Sequence, residues 1–269
     1  MTEPQITVST LLEMKAAGEK IACLTCYDAG FTRVLEAAGV EVLLVGDSLG
    51  NVLQGHDSTI PVSVADMAYH AACVARARCR ALLVVDMPFL SYRSPQQALE
   101  TAAQLMQHGG ARMVKLEGGA AQLETVACLS AQGVPVCGHL GLLPQSVHKL
   151  GGYRVQGRDA AQAEAMKRDA LALQDAGAAL LVLECVPSTL AREISGSLRI
   201  PVIGIGAGGG CDGQVLVLHD LLGITPAEGE PPRFVKNFLT GRDGIRAAVR
   251  AYVEEVKSGR FPAAEHGFS

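Results

Sequence analysis

Eight short apolar runs, separated by helix-like stretches, constrain the fold of this chain more than any other feature of it. They occupy residues 21–26, 42–45, 82–85, 113–116, 134–137, 180–183, 202–205 and 215–218. All are short and rich in strand formers. Between many of them lie helical patterns with recognisable ends. Ser94-Pro95-Gln96-Gln97 offers an N-cap, a proline at the first helical position and a capping box, with Gly109 as a stop. Asp28 can cap a helix running to Gly39, Ser63-Val64-Ala65-Asp66 reads as a second capping box, and residues 160–176 are alanine-rich with Gly177 behind them. Such alternation favours a parallel sheet, either open and doubly wound or closed. Eight strands in 269 residues favour the closed form, a (β/α)8 TIM barrel. No linker or break in composition divides the chain, so residues 1–269 are expected to form one barrel domain, with a short helix before the first strand and a closing helix over residues 243–258.

Four of the runs stop at an acid. Asp47, Asp86, Glu117 and Glu184 sit at or just past the carboxyl ends of Val42-Leu43-Leu44-Val45, Leu82-Leu83-Val84-Val85, Met113-Val114-Lys115-Leu116 and Leu180-Leu181-Val182-Leu183. In a parallel barrel those ends share one rim, and acids gathered there resist ionising unless a cation sits among them. Each acid alone is as well explained by helix capping or a surface ion pair; four at equivalent positions are not. Oxygen ligands without a His/Cys cluster point to a hard ion, Mg²⁺ before Zn²⁺. Lys115 and Glu117 are two apart and point the same way in a strand, which places a cation among the carboxylates. That set suits a small 2-oxo acid, with Lys115 at its carboxylate and the metal polarising its carbonyl. Glu184, between apolar neighbours, is the candidate general base. His139 is either a hydrogen-bond donor to substrate or a structural histidine.

Composition excludes several classes. A net charge of −4 disfavours nucleic acid, and 49% hydrophobic with 19% charged residues fits an ordered globular protein. No signal-like segment opens the chain and its apolar runs are too short to span a bilayer, so a cytoplasmic protein without membrane contact is expected. The eight cysteines are then reduced, and Cys23 and Cys26, three apart in an extended run, fall on opposite faces as packing residues.

Gly204-Ile205-Gly206-Ala207-Gly208-Gly209 matches a dinucleotide-loop pattern but comes late and lacks the following acid, so it reads as a tight turn. Asp212-Gly213 and His219-Asp220 are explained by turns and caps. The longer connections, residues 49–61 and 140–158, belong on the site rim. His148, Lys149, Arg154 and Arg158 on the second of these carry charge that could meet an anionic tail, against the plainer reading of solvated side chains.

Several strings resemble a known family. Leu44-Val45-Gly46-Asp47-Ser48-Leu49-Gly50, Gln54-Gly55-His56-Asp57-Ser58-Thr59, Val114-Lys115-Leu116-Glu117-Gly118-Gly119 and Val136-Cys137-Gly138-His139-Leu140-Gly141-Leu142 resemble ketopantoate hydroxymethyltransferases. Gly151-Gly152-Tyr153-Arg154-Val155-Gln156-Gly157, Leu183-Glu184-Cys185-Val186-Pro187, Pro201-Val202-Ile203-Gly204-Ile205-Gly206-Ala207-Gly208 and Val235-Lys236-Asn237-Phe238 continue the likeness in order. The resemblance implies a (β/α)8 barrel that moves a one-carbon unit from 5,10-methylenetetrahydrofolate to 3-methyl-2-oxobutanoate, giving 2-dehydropantoate for pantothenate synthesis. By the same resemblance, Asp47, Asp86 and Glu117 surround Mg²⁺, Asp47, Ser48, Asp86 and Lys115 meet the oxo acid, and Glu184 accepts the proton. It also implies a homodecamer, and it makes the folate glutamate tail the candidate partner of the 148–158 charges. Residues 208–211, richer in glycine, and the variable stretch 225–233 depart from the family pattern. Three alternatives remain open: a Schiff-base enzyme using Lys115, a metal-dependent lyase of another 2-oxo acid, and a non-catalytic metabolite or folate binder.

Overall fold

Successive residues of a strand face opposite sides. In this chain both sides of most runs are apolar, as in sheets buried on both faces. The computed structural model describes residues 4–152, 154–225 and 231–269. Its strands are β1 (Ile21–Thr25), β2 (Val42–Val45), β3 (Leu82–Asp86), β4 (Met113–Glu117), β5 (Val136–Gly141), β6 (Leu180–Glu184), β7 (Val202–Ile205) and β8 (Gly213–Leu216). They close in sequence order into one parallel barrel, with β8 pairing β1 through Ala22 opposite Gln214 and Cys23 opposite Val215. The expected (β/α)8 barrel is thus the fold.

Two side-chain sets separate cleanly. Ile21, Cys23, Val42, Leu44, Val84, Met113, Cys137, Val182, Ile203 and Val215 fill the barrel interior. Leu24, Leu43, Val45, Leu83, Val85, Val114, Leu116 and Leu183 face outward onto the helices. Cys23 and Cys26 fall one in each set, as their spacing predicts, and the cysteines are all free.

The helix starts follow the caps. Asp28 accepts from the Phe31 N–H at 2.9 Å ahead of Ala29–Ala37, and the Ser63/Asp66 box is reciprocal ahead of Val64–Ala77. Ser94 caps Pro95–Gln107 by accepting from the Gln97 N–H, but the return half of the expected capping box is absent, so Gln97 serves only as backbone donor. The alanine-rich helix runs Ala160–Asp175. A helix at Val8–Ala16 precedes β1, and Ile245–Lys257 lies across the β8/β1 seam, its Tyr252 hydroxyl 2.9 Å from both Cys23 O and Gln214 O.

Three expectations need correction. β5 starts two residues later than residues 134–137 suggest and continues to Gly141, because Pro135 has no N–H for the ladder while His139 and Leu140 pair with β6. β8 is Gly213–Leu216 instead of 215–218, since Leu218 already opens a helix, its N–H donating to Thr25 Oγ1. The two long connections are not bare loops: Leu49–Val52 and Val147–Leu150 are short helices, and Pro144–Ser146 is a 3-10 turn.

The β7–β8 connection has no helix. Its glycines let it lie flat on the helix Ser188–Ser197, since a Cβ on Gly210 would stand 2.7 Å from Arg192 Cβ. No helix among the described residues is long and apolar enough to cross a membrane. Tyr153 of the quoted motif, and residues 226–230 of the variable stretch, lie outside the described residues.

Candidate active site

The inward column of each strand turns from apolar to ionisable at its carboxyl end. Leu82 and Val84 lead to Asp86, Met113 to Lys115 and Glu117, Cys137 to His139, and Leu180 and Val182 to Glu184. Register then sets the neighbours: Asp86 pairs Lys115, Glu117 pairs His139, and Glu184 pairs Gly141 and Ile205. Asp47 arrives from the turn after β2, where its own N–H donates to Asp86 Oδ2 at 3.1 Å. Asp47, Ser48, Asp86, Lys115, Glu117, His139 and Glu184 all line one cavity of about 220 Å³, walled elsewhere by Leu44, Val182, Ile205, Val215 and Phe234.

The charges there are buried and unequal. Lys115 Nζ lies 2.5 Å from Asp86 Oδ1. Burial works against its ammonium form, yet Asp86, Glu117 and Asp47 outweigh that and hold it protonated well above the ordinary lysine range. Asp47 is the opposite case, its carboxyl raised well above the usual value by burial and then by the charges of Asp86 and Glu117. His139 lies between two acids, Nε2 at 3.3 Å from Glu184 Oε2 and Nδ1 at 3.6 Å from Glu117 Oε1, and neither contact is an aligned hydrogen bond. Burial and Lys115 lower its basicity, but the two glutamates prevail and its pKa is pushed up to about 9.

Backbone geometry at β6 supports Glu184. The next residue, Cys185, has φ +48, a left-handed conformation costing about 1–2 kcal/mol outside glycine. It is held there by its N–H to Ile205 O and by the Gln156 N–H to its carbonyl, both 2.9 Å. Gly141, at φ +94, permits the approach of β5 on which the Leu142 N–H donates to Glu184 O.

Residues unmarked by sequence complete the site. Gln145 donates through Nε2 to Asp47 Oδ2, and through its N–H to Glu117 Oε2. The Tyr92 hydroxyl donates to Gln145 Oε1, and the Tyr27 hydroxyl lies 2.9 Å from Ser48 Oγ. No periodicity flags them; the 3-10 turn that places Gln145 opens with Pro144, whose fixed φ was the available signal. The four charges at 148–158 do not join this group: all are exposed, and none lines the cavity.

An ion's fit follows from the donors. Among the described residues, no three His, Cys, Asp or Glu side chains are placed to hold a metal ion together. Mg²⁺ asks for less, since it binds through one or two carboxylates and keeps water or substrate oxygens. Asp47 and Asp86 are adjacent, hard and short of positive charge, so the site suits it.

A barrel with ionisable side chains converging in a pocket at the carboxyl ends of its strands defines the class: a (β/α)8-barrel enzyme. The family follows from comparison. A family model described as ketopantoate hydroxymethyltransferase matches residues 5–264, and the chain belongs to that family. It is similar to 3-methyl-2-oxobutanoate hydroxymethyltransferase 2 of Pseudomonas fluorescens (strain Pf-5), at 61% identity over 99% of both chains. It is also similar to the 3-methyl-2-oxobutanoate hydroxymethyltransferase of Halorhodospira halophila (strain SL1), at 59% identity over 98% of this chain and 94% of that one. In fold alone it resembles the crystal structure of phosphonopyruvate hydrolase, with a TM-score of 0.62 at 12% identity, covering 83% of this chain and 84% of that one.

Proposed function

We propose that this hydroxymethyltransferase uses 5,10-methylenetetrahydrofolate as one-carbon donor and Mg²⁺ as its ion, converting 3-methyl-2-oxobutanoate to 2-dehydropantoate for pantothenate synthesis. The observation that carries this reading is the buried excess of acid at Asp47, Asp86 and Glu117, with the Asp47 carboxyl raised by burial and then by its acidic neighbours. Asp47 and Asp86 would hold the ion, with Glu117 adding negative charge beside them. When bound, it neutralises them and adds positive charge beside the oxo acid, making the C3 proton easier to remove.

The chain's own residues do the rest. Lys115, kept cationic by its acids, and Ser48, oriented by Tyr27, align the substrate's carboxylate with Asp47 and Asp86. Leu44, Val182, Ile205 and Val215 take the branched alkyl end and exclude water. Glu184, the least buried of the acids with 15% of its side chain exposed, accepts the C3 proton beside His139. C3 then bonds to the folate methylene carbon, and water supplies the hydroxyl oxygen as tetrahydrofolate leaves.

Deuterium exchange at C3 in the presence of metal tests this directly: Glu184→Gln is expected to abolish exchange, and normal exchange would remove Glu184 as the base. Lys115 is a poor candidate for the Schiff-base alternative because its ammonium is stabilised. Borohydride should trap no adduct, and a chelator should stop turnover. Folate-independent product formation would indicate a lyase instead, and ligand binding without any exchange a non-catalytic binder. We further propose a cytoplasmic homodecamer, to be checked by light scattering, and the 148–158 charges as the seat of the folate tail. Unchanged folate affinity and salt dependence after neutralising Lys149 and Arg154 together would dismiss that seat.

A further inference from the structure

Gln145 is 5% exposed, and its side-chain oxygen, side-chain nitrogen and backbone N–H are all bonded. Its Nε2 donates to Asp47 Oδ2 at 2.8 Å and to Met87 O at 2.9 Å, Oε1 accepts from the Tyr92 hydroxyl at 2.6 Å, and its N–H donates to Glu117 Oε2 at 3.1 Å. The orientation of the amide is decided by its partners. Met87 O and the Asp47 carboxylate only accept, so a reversed amide would set oxygen against two acceptors. Tyr92 is fixed in turn, because its hydroxyl oxygen accepts the Glu117 N–H at 3.3 Å.

We propose that Gln145 is a positioning residue for the ion: oriented by Tyr92, its amide fixes one oxygen of Asp47, leaves the other to ligate, and ties Asp47 to Glu117. This rests on the metal reading above. Two observations support it. Gln145 does not line the reaction cavity; with Tyr92 and Glu117 it lines a separate cavity of about 160 Å³ behind it, so it acts through the acids. Asp47 Oδ2 is occupied by Gln145, while Oδ1 has no hydrogen-bond partner among the described residues. Groups that orient a ligating carboxylate in this way set how well it binds.

The rival account is that Gln145 merely pins the 3-10 turn. Titrating Mn²⁺ alone into the full-length protein by calorimetry separates the two, with thermal unfolding measured alongside. Gln145→Met keeps length and removes both side-chain N–H donors while leaving the backbone N–H to Glu117, and is expected to weaken Mn²⁺ binding by about 10- to 100-fold. Its activity deficit should appear in the metal concentration needed for half-maximal rate, with kcat largely restored at saturation. Tyr92→Phe, which loses only the orienting hydroxyl, should move the same way by less. If folded Gln145→Met binds Mn²⁺ within twofold of wild type, the inference is wrong; should that variant not fold, unchanged affinity in Tyr92→Phe overturns it equally. Wild-type protein that binds no Mn²⁺ would defeat the metal reading and this inference together, whereas wild-type binding unaltered in the variants defeats the inference alone.

Discussion

The two ends of the barrel treat buried charge in opposite ways. At the amino-terminal end, Asp212 Oδ2 accepts from Lys15 Nζ at 2.6 Å, from Ser195 Oγ at 3.0 Å and from the Val202 N–H at 2.8 Å. Glu41 divides its oxygens between the Ala22 N–H at 2.9 Å and Lys257 at 2.7 Å. Each of these two acids has a cation and a backbone donor. At the carboxyl end, Asp47, Asp86, Glu117 and Glu184 share Lys115 and His139, and both His139 nitrogens lack hydrogen-bond partners among the described residues. Satisfied charge holds segments in place; unsatisfied charge is stabilised by what binds. The contrast marks one end as a clamp and the other as a site.

Mutation at either end tests that contrast. The largest effect belongs to Glu184→Gln: turnover should fall by about 10²- to 10⁴-fold with little change in Tm, measured by product formation and calorimetry. Asp212→Ala should do the reverse. It takes the partner acid from Lys15, which keeps only the Ser195 carbonyl, and leaves two donors unpaired, costing about 2–3 kcal/mol in denaturant unfolding, while kcat per folded molecule is kept. Asp47→Asn sharpens the comparison, because removing a desolvated acid should raise metal-free stability while Mn²⁺ binding is lost. Loss of stability there would mean that the rim acids, like those below, serve the fold.

Protonation gives a smaller effect with a definite sign. With its pKa raised from 6.5 to about 9, His139 contributes stability that is fully present below pH 6.5 and lost as pH rises through about 9. Metal-free stability should therefore decline across that window, by at most about 1.4 kcal/mol per pH unit, and less steeply in His139→Gln. Smallest of all, Tyr27→Phe frees the Ser48 hydroxyl and should raise KM for the oxo acid a few-fold without altering unfolding.

Much of this was legible from the chain because strand alternation is local. Once Asp86, Lys115, Glu117 and Glu184 are placed on strands, two-residue periodicity with the apolar positions before them sends all four inward. His139 was harder to place: Pro135 delays the start of β5, which puts His139 inside the strand opposite Glu117 instead of beyond its end. The helix-free β7–β8 crossing was likewise hidden, since glycine content announces a turn without showing what it lies against.

Gln145 shows where local reasoning stops. Its partners Asp47, Met87, Tyr92 and Glu117 are 98, 58, 53 and 28 residues away, and no spacing rule connects them. By itself, the sequence determined that eight runs alternate with helices, that acids end four of them, and that the motifs are those of one enzyme family. Barrel closure alone decided which donors reach those acids and which acids go without, because hydrogen bonds depend on distances of about 3 Å between segments remote in the chain.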